Sequence, residues 1–390
     1  MTSSLRPAVV VAVLIVAIGC QATTSPSTRP SPSEPSAITS PPARSATAAP
    51  TRSVGAATPA AVGSSRPKPA PAALARNGAI VYSDAAGDIH SLDPETGKTT
   101  LLIGGPTNDR GPGFLPDGTR FVFVRADDDG DDDGDILYSA NADGSDIQKF
   151  ADGKQLSNWE YSPRGDRIAS VQEGGSNPEI TDVASGSRRV IPLTKPVNIV
   201  SWLTDDSILV ADLDEEGSAV EMWTINADGT RQQAITAPSM CCGVSTLRGR
   251  GLIAWNSWAS GGESRVHILD TASGEDMLLG STDVPGSHFL DPIWSPDGKW
   301  LTAKRFTAGV DGVQLALLAA DGSGEAISLG PKLPTNGGQI RPTFSPDGTK
   351  LLVTYDDGSA WLFDLPAGTG GKTDWQGLVE TTWQGLDPTR

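Results

Sequence analysis

The densest run of chemistry-bearing residues is Asp127-Asp-Asp-Gly-Asp-Asp-Asp-Gly-Asp135. Alternate carboxylates on a glycine-bent loop can converge on one hard cation, and Ca²⁺ takes about six to eight oxygen ligands. Asp127, Asp129, Asp131, Asp133 and Asp135 are therefore candidate calcium ligands, although no glutamate stands at the bidentate spacing of an EF-hand. A solvated loop whose charge discourages edge-to-edge pairing accounts for the same run, and the sequence leaves both readings open. The adjacent pair Cys241-Cys242 offers different chemistry: in an oxidising compartment the thiols can close on each other as a strained vicinal disulfide that stiffens the long loop before Thr246, or they stay free. Zinc needs about four ligands, more than this neighbourhood supplies. Three histidines occur. His90 and His267 fall at equivalent places in a repeat, and His288 precedes Asp291 in what reads as a loop. Trp255 and Trp258 lie close together near a glycine-rich turn, where they serve either packing or contact with a sugar or protein. There is no Gly-x-Ser-x-Gly elbow and no phosphate-cradling glycine loop between a strand and a helix. No catalytic residue is named on this basis, and no cofactor is required beyond the candidate calcium.

The elements that must hold these residues follow from two alternating kinds of punctuation. One is a tight turn: Leu115-Pro-Asp-Gly118, Ser162-Pro-Arg-Gly165, Ser295-Pro-Asp-Gly298 and Ser345-Pro-Asp-Gly348, with degenerate copies at Leu203-Thr-Asp-Asp206 and Arg248-Gly-Arg-Gly251. Proline presets φ at the second place and glycine suits the exit, so each reads as a β-turn between strands. Aromatic residues precede most copies (Phe114, Tyr161, Trp202, Trp294, Phe344), and short apolar runs such as Phe121-Val-Phe-Val124 follow. The other punctuation is a hairpin loop ending in glycine, at 93–97, 141–144, 182–186, 226–229, 270–274, 321–322 and 364–368. A strand precedes each loop, as in Arg265-Val-His-Ile-Leu269, and another follows most of them.

The resulting period of roughly 42 to 50 residues with four strands per unit predicts an all-β fold, a β-propeller of four-stranded antiparallel blades. Seven hairpin loops face six turns, because the first unit starts at Gly78-Ala-Ile-Val-Tyr82 without an innermost strand. The segment Thr373-Asp-Trp-Gln-Gly-Leu378 is echoed by Thr381-Thr-Trp-Gln-Gly-Leu386. The expectation is seven blades, with the first copy ending the last blade and the second crossing over to complete the first; six blades are the alternative.

These motifs resemble the Pro-Asp repeats of TolB-like β-propellers: the aromatic-Ser-Pro-Asp-Gly turn, the Leu/Ile strand and the Asn/Asp-Ala-Asp-Gly loop. The resemblance covers residues 77–390, departing from the pattern in the fourth and fifth units, whose turns lack proline. It implies the fold and leaves function open, since such propellers serve as protein-binding scaffolds, as appendages of peptidases and as ligand-binding domains.

Ahead of the repeats, Arg6 and an unbroken apolar run from Ala8 to Ile18 read as a secretion signal too short to span a bilayer, which takes roughly 20 apolar residues. Ala17-Ile18-Gly19-Cys20 resembles the lipobox of bacterial lipoproteins, which implies residues 1–20 as signal peptide and Cys20 as the lipidated residue. Residues 21–76 are almost entirely Ser, Thr, Pro and Ala; such a segment cannot bury enough surface to offset its ordering entropy and reads as a disordered tether. The net charge of −17 speaks against nucleic-acid binding. The expected protein is a monomeric extracytoplasmic propeller, anchored to the bacterial cell membrane through Cys20 or secreted, acting as a scaffold for a protein or other ligand of the envelope. The alternative is a propeller enzyme acting on a glycan or lactone with a metal-assisted site.

Overall fold

The computed structural model describes residues 74–126, 136–151, 156–172, 175–213, 219–235, 240–258, 264–279, 287–334 and 338–387. Among these residues there is no helix, and the strands form seven sheets of four. The first blade contains β1 (Arg76–Ser83), β2 (Ile89–Leu92) and β3 (Thr99–Ile103). The second runs β4 (Asp109–Phe114), β5 (Arg120–Arg125), β6 (Ile136–Asn141) and β7 (Gln148–Ala151). The third has β8 (Leu156–Tyr161), β9 (Arg167–Gln172), β10 (Glu179–Asp182) and β11 (Arg188–Val190). The fourth is β12 (Ile199–Thr204), β13 (Ser207–Leu213), β14 (Ala219–Asn226) and β15 (Gln233–Ile235). The fifth is β16 (Met240–Leu247), β17 (Leu252–Trp258), β18 (Ser264–Asp270) and β19 (Asp276–Leu279). The sixth is β20 (His288–Trp294), β21 (Trp300–Thr307), β22 (Val310–Ala319) and β23 (Ile327–Leu333), and the seventh β24 (Ile340–Phe344), β25 (Lys350–Tyr355), β26 (Ser359–Asp364) and β27 (Thr369–Gln376). The last strand, β28 (Glu380–Leu386), pairs antiparallel with β1 and gives the first blade its missing innermost strand.

The expected seven-bladed ring and its closure are thus both present, and the two units without proline in their turns form complete blades. Glycine at the turn exits explains the regularity. Gly118, Gly165, Gly298 and Gly348 each donate to the carbonyl three residues back at 2.8–2.9 Å with φ between 67° and 76°, a region that glycine enters without penalty. Gly118 has a second reason: a Cβ there would stand 1.9 Å from the Gly385 carbonyl oxygen, so the turn of the second blade can lie against β28 only without a side chain.

Hydrophobic burial is divided into seven clusters, one between each pair of neighbouring blades. A sheet with apolar residues on both faces needs a neighbour on each side, and a ring supplies both. Trp202 and Trp255 are fully buried in this way, so Trp255 packs between the fourth and fifth blades and offers nothing to a sugar or partner. Polar ties join the blades at their innermost strands. The Trp202 amide donates to Glu160 Oε2 at 2.8 Å and its indole N–H to the Glu160 carbonyl at 2.9 Å, while the Ser201 and Thr246 hydroxyls meet at 2.7 Å. At the hairpins the carboxyls of Asp143, Asp182, Asp228 and Asp321 are held below their usual range first by the hydroxyls of Ser145, Ser185, Thr230 and Ser323, then by the amides of those same residues.

Candidate functional site

In the second to seventh blades the first two strands are joined by a tight turn, and in every blade the last two by a hairpin, on one face of the ring. The opposite face carries the links between second and third strands and from blade to blade; we call it the loop face. Residues 74–75 enter β1, and Asp387 leaves β28, on the turn face, where Arg76 Nε donates to the Asp387 carbonyl at 3.3 Å. The loop face is therefore the one clear of both chain connections.

Near that face four innermost strands swell into bulges, at Arg110/Gly113 in β4, Leu156/Asn158 in β8, Cys241/Val244 in β16 and Leu290/Ile293 in β20. Three of them contain a residue of positive φ, a conformation that suits glycine. Gly111 (φ 61°) and Gly243 (φ 68°) supply it in two blades, but the third uses Asp291 at φ 56°. A non-glycine residue there costs about 1–2 kcal/mol and marks a position held by its surroundings. The Asp291 amide donates to Asn256 Oδ1 at 2.9 Å, and its carboxylate meets Lys304 Nζ at 2.8 Å, with side chains 8% and 14% exposed. Its Oδ1 is buried with no hydrogen-bond partner among the described residues. Asn256 also donates to the Phe289 carbonyl at 2.6 Å, so one amide grips the bulged strand of the next blade from both sides. Gly243 has to be glycine for the same junction, since a Cβ would fall 2.7 Å from Asp291 Cα.

Further ion pairs stand at the same level of other blades. Arg125 grips Asp109 with two bonds of 2.7 Å, and Arg341 meets Asp356 at 2.6 Å. The Gly111 amide donates to Glu380 Oε2 at 2.5 Å, tying the second blade to the closing strand. The lip of the ring is thus lined by opposite charges in fixed pairs.

In the fifth blade Ser257 Oγ lies 2.6 Å from His267 Nε2, and His267 Nδ1 lies 3.0 Å from Asp276 Oδ2. The imidazole stacks on Trp255 at 4.9 Å and 15°. Chemically this is the order of groups that draws a proton from a nucleophilic serine. The burial runs the wrong way for that use. Ser257 is 8% exposed, between blades, whereas the Asp276 side chain is 38% exposed; a substrate carbon reaches Ser257 Oγ only if the blades part. The relay instead ties three adjacent strands through side chains. Replacing His267 by phenylalanine, which keeps the stack and removes both bonds, is expected to cost about 1–2 kcal/mol in denaturant unfolding, because the Ser257 hydroxyl is left buried and unpaired; an unchanged midpoint would show that the relay contributes nothing.

His90 repeats part of this layout in the first blade, stacked on Tyr82 at 5.3 Å and 16°, with Nε2 3.0 Å from Asp84 Oδ2. Both histidines are therefore repeat positions, as their spacing implied. His288, expected in a loop, opens β20 and stacks on Phe306 at 4.9 Å, and Asp291 lies inside the same strand. The Cys241-Cys242 pair also lies within a strand, β16, and not in a long loop, because Met240 and Cys241 pair with Ser257 and Asn256 before the bulge opens. The side chains of Cys241, Cys242 and Trp258 are outside the described residues, as are Cys20 and the run from Asp127 to Asp135. The Asp291–Lys304–Asn256 junction was missed by sequence reasoning. Its only signal is Asp-Pro at a place where other repeats carry Gly-Pro or Arg-Pro (residues 111–112 and 341–342).

No protein-family model matches the chain, and no curated protein matches it by sequence. Solved structures do match it in fold. Oligogalacturonate lyase in complex with manganese aligns over 77% of this chain and 86% of its own with a TM-score of 0.56 and 13% identity. An oligogalacturonate lyase from Vibrio parahaemolyticus aligns over 76% and 86%, with a TM-score of 0.56 and 12% identity. TolB from Acinetobacter baumannii aligns over 78% and 81%, with a TM-score of 0.49 and 17% identity. At these identities the likeness concerns architecture alone, and by architecture this chain is a seven-bladed β-propeller closed by its last strand.

Proposed function

We propose that the protein is a tethered binding platform of the bacterial cell envelope, held to the membrane by a lipid at Cys20 and receiving a protein or other envelope ligand on its loop face. The observation that supports this reading is that residues 74–75 enter β1 and Asp387 leaves β28 on the turn face, so neither connection interrupts the loops of the opposite face. Two features of that face support it. Its charges stand in fixed opposite pairs around the lip, and Val310, which opens β22 at the link from β21, exposes half of its surface. Calcium bound by Asp127, Asp129, Asp131, Asp133 and Asp135 would stiffen the loop between β5 and β6 on the same side, and a vicinal disulfide at Cys241-Cys242 would do so at the β16 bulge.

The test uses the full chain in cells, with a photoreactive residue at Val310 or Asn177 on the loop face, or at Glu95 or Lys299 on the turn face. Specific adducts from the first pair and none from the second are expected. Adducts from the turn face alone, or from neither, would overturn the platform reading. Cys20→Ala should move the protein from the membrane fraction to the medium; a variant that stays with the membrane would remove the anchor.

A further inference from the structure

We propose that Asp84, Asp88 and His90 form a binding site for a divalent transition-metal cation on the loop face of the first blade. One oxygen from each aspartate and one ring nitrogen of His90 lie within 4.8 Å of one another. Donors that share a cation at about 2.1 Å stand roughly 3–4 Å apart, so closing this set takes side-chain movements of about an ångström or less. All three residues are half-buried, which leaves room for water or a partner's group to complete the coordination.

Each aspartate rests one oxygen on backbone amides. Asp84 Oδ1 accepts the Ala86 and Asp88 amides at 2.8 and 3.0 Å, while its Oδ2 faces His90 Nε2. Asp88 Oδ1 accepts the Gly105 amide at 3.2 Å. The ring of His90 cannot swing away, because Tyr82 stacks on it. Burial alone would raise the Asp84 carboxyl, but the Asp88 amide, His90 and the Ala86 amide together hold it below its usual value, so it is ionised at neutral pH.

The fifth blade serves as an internal control. Tyr82 pairs with His90 across its ladder as Trp255 pairs with His267, and each histidine reaches the residue two places further along the second strand. In the fifth blade that residue is Ser257; in the first it is Asp84. His267 is thus tied by one hydroxyl and, through Nδ1, by the single carboxylate of Asp276 on the far side of its ring. In the first blade two carboxylates, Asp84 and Asp88, gather with His90 and build a set of two oxygens and one imidazole. Imidazole favours Zn²⁺, Cu²⁺, Fe²⁺ or Ni²⁺ over Ca²⁺ and Mg²⁺, which take oxygen ligands. Binding replaces the contact between His90 Nε2 and Asp84 by two metal bonds.

The experiment titrates the full chain with Zn²⁺ by calorimetry and with Co²⁺ by visible absorption, which reports nitrogen and oxygen ligation. Saturable binding of one ion is expected, weakened at least tenfold in His90→Ala and in the near-isosteric Asp88→Asn, and kept in a variant with Asp131 and Asp133 changed to asparagine. Thermal unfolding of each variant without metal checks that it is folded. Absence of saturable binding, unchanged affinity in both site variants, or loss only in the Asp131/Asp133 variant would overturn the site.

Discussion

Trp383→Ala is expected to destabilise the ring by about 3–5 kcal/mol, and deletion of residues 380–390 to abolish cooperative unfolding. The first figure is the usual cost of emptying a large aromatic from a packed core. Trp383 is buried among Ile80, Tyr82, Leu352 and Leu378, so it touches the first and seventh blades at once. Its indole N–H donates to the Gly78 carbonyl at 3.0 Å, a bond that water replaces poorly inside the seam. The strand around it binds on both flanks: Thr381 meets Thr343 of the seventh blade at 2.7 Å, and Gln384 Nε2 donates to the Gly118 carbonyl of the second at 2.8 Å. Deletion removes all of this and leaves the edge of β1 open, a surface that recruits other strands. Equilibrium denaturation followed by tryptophan fluorescence measures the first effect, and light scattering with calorimetry the second. A truncated chain that stays monomeric with a single sharp transition would contradict closure as the source of cooperativity.

Arg125→Ala is expected to cost about 3–5 kcal/mol, out of proportion to a residue that looks like a surface cation in the sequence. Asp109 is only 1% exposed. Removing one partner of a buried pair leaves an uncompensated charge, which is worse than removing both. Arg125 also lies over the rings of Tyr138 and Phe123, at 4.8 and 5.5 Å, so its loss uncovers two aromatics. The Asp109 carboxylate raises the Arg125 pKa further, which keeps the guanidinium charged under all ordinary conditions. The double change Asp109→Leu with Arg125→Met should recover most of the lost stability in chemical denaturation. A single mutant losing less than about 1 kcal/mol would mean that Asp109 finds another counter-charge.

What the sequence disclosed tracks the range of the interactions involved. Turns and hairpins are local, so Ser295-Pro-Asp-Gly298 and the loop at 270–274 announce themselves within four or five residues. Closure is long-range, yet legible because one blade edge was missing a strand and the echo around Trp375 and Trp383 supplied it. The site features were not legible, because they are made across strands and blades. Asp276 reaches His267 from a strand nine residues on, and Asp291 acquires meaning only when Gly243 and Asn256 of the preceding blade come against it. A bulge leaves almost no trace in composition, which is why Cys241-Cys242 and His288 read as loop. Asp84 and Asp88 come together with His90 only through the pairing of β1 with β2.

The position of β28 in the chain sets an order of events. The strand that completes the first sheet is made last, so the earliest blade waits, half-formed, until the final segment has been delivered. A proteolytic nick in the last dozen residues before sealing would strand the whole molecule as an open chain.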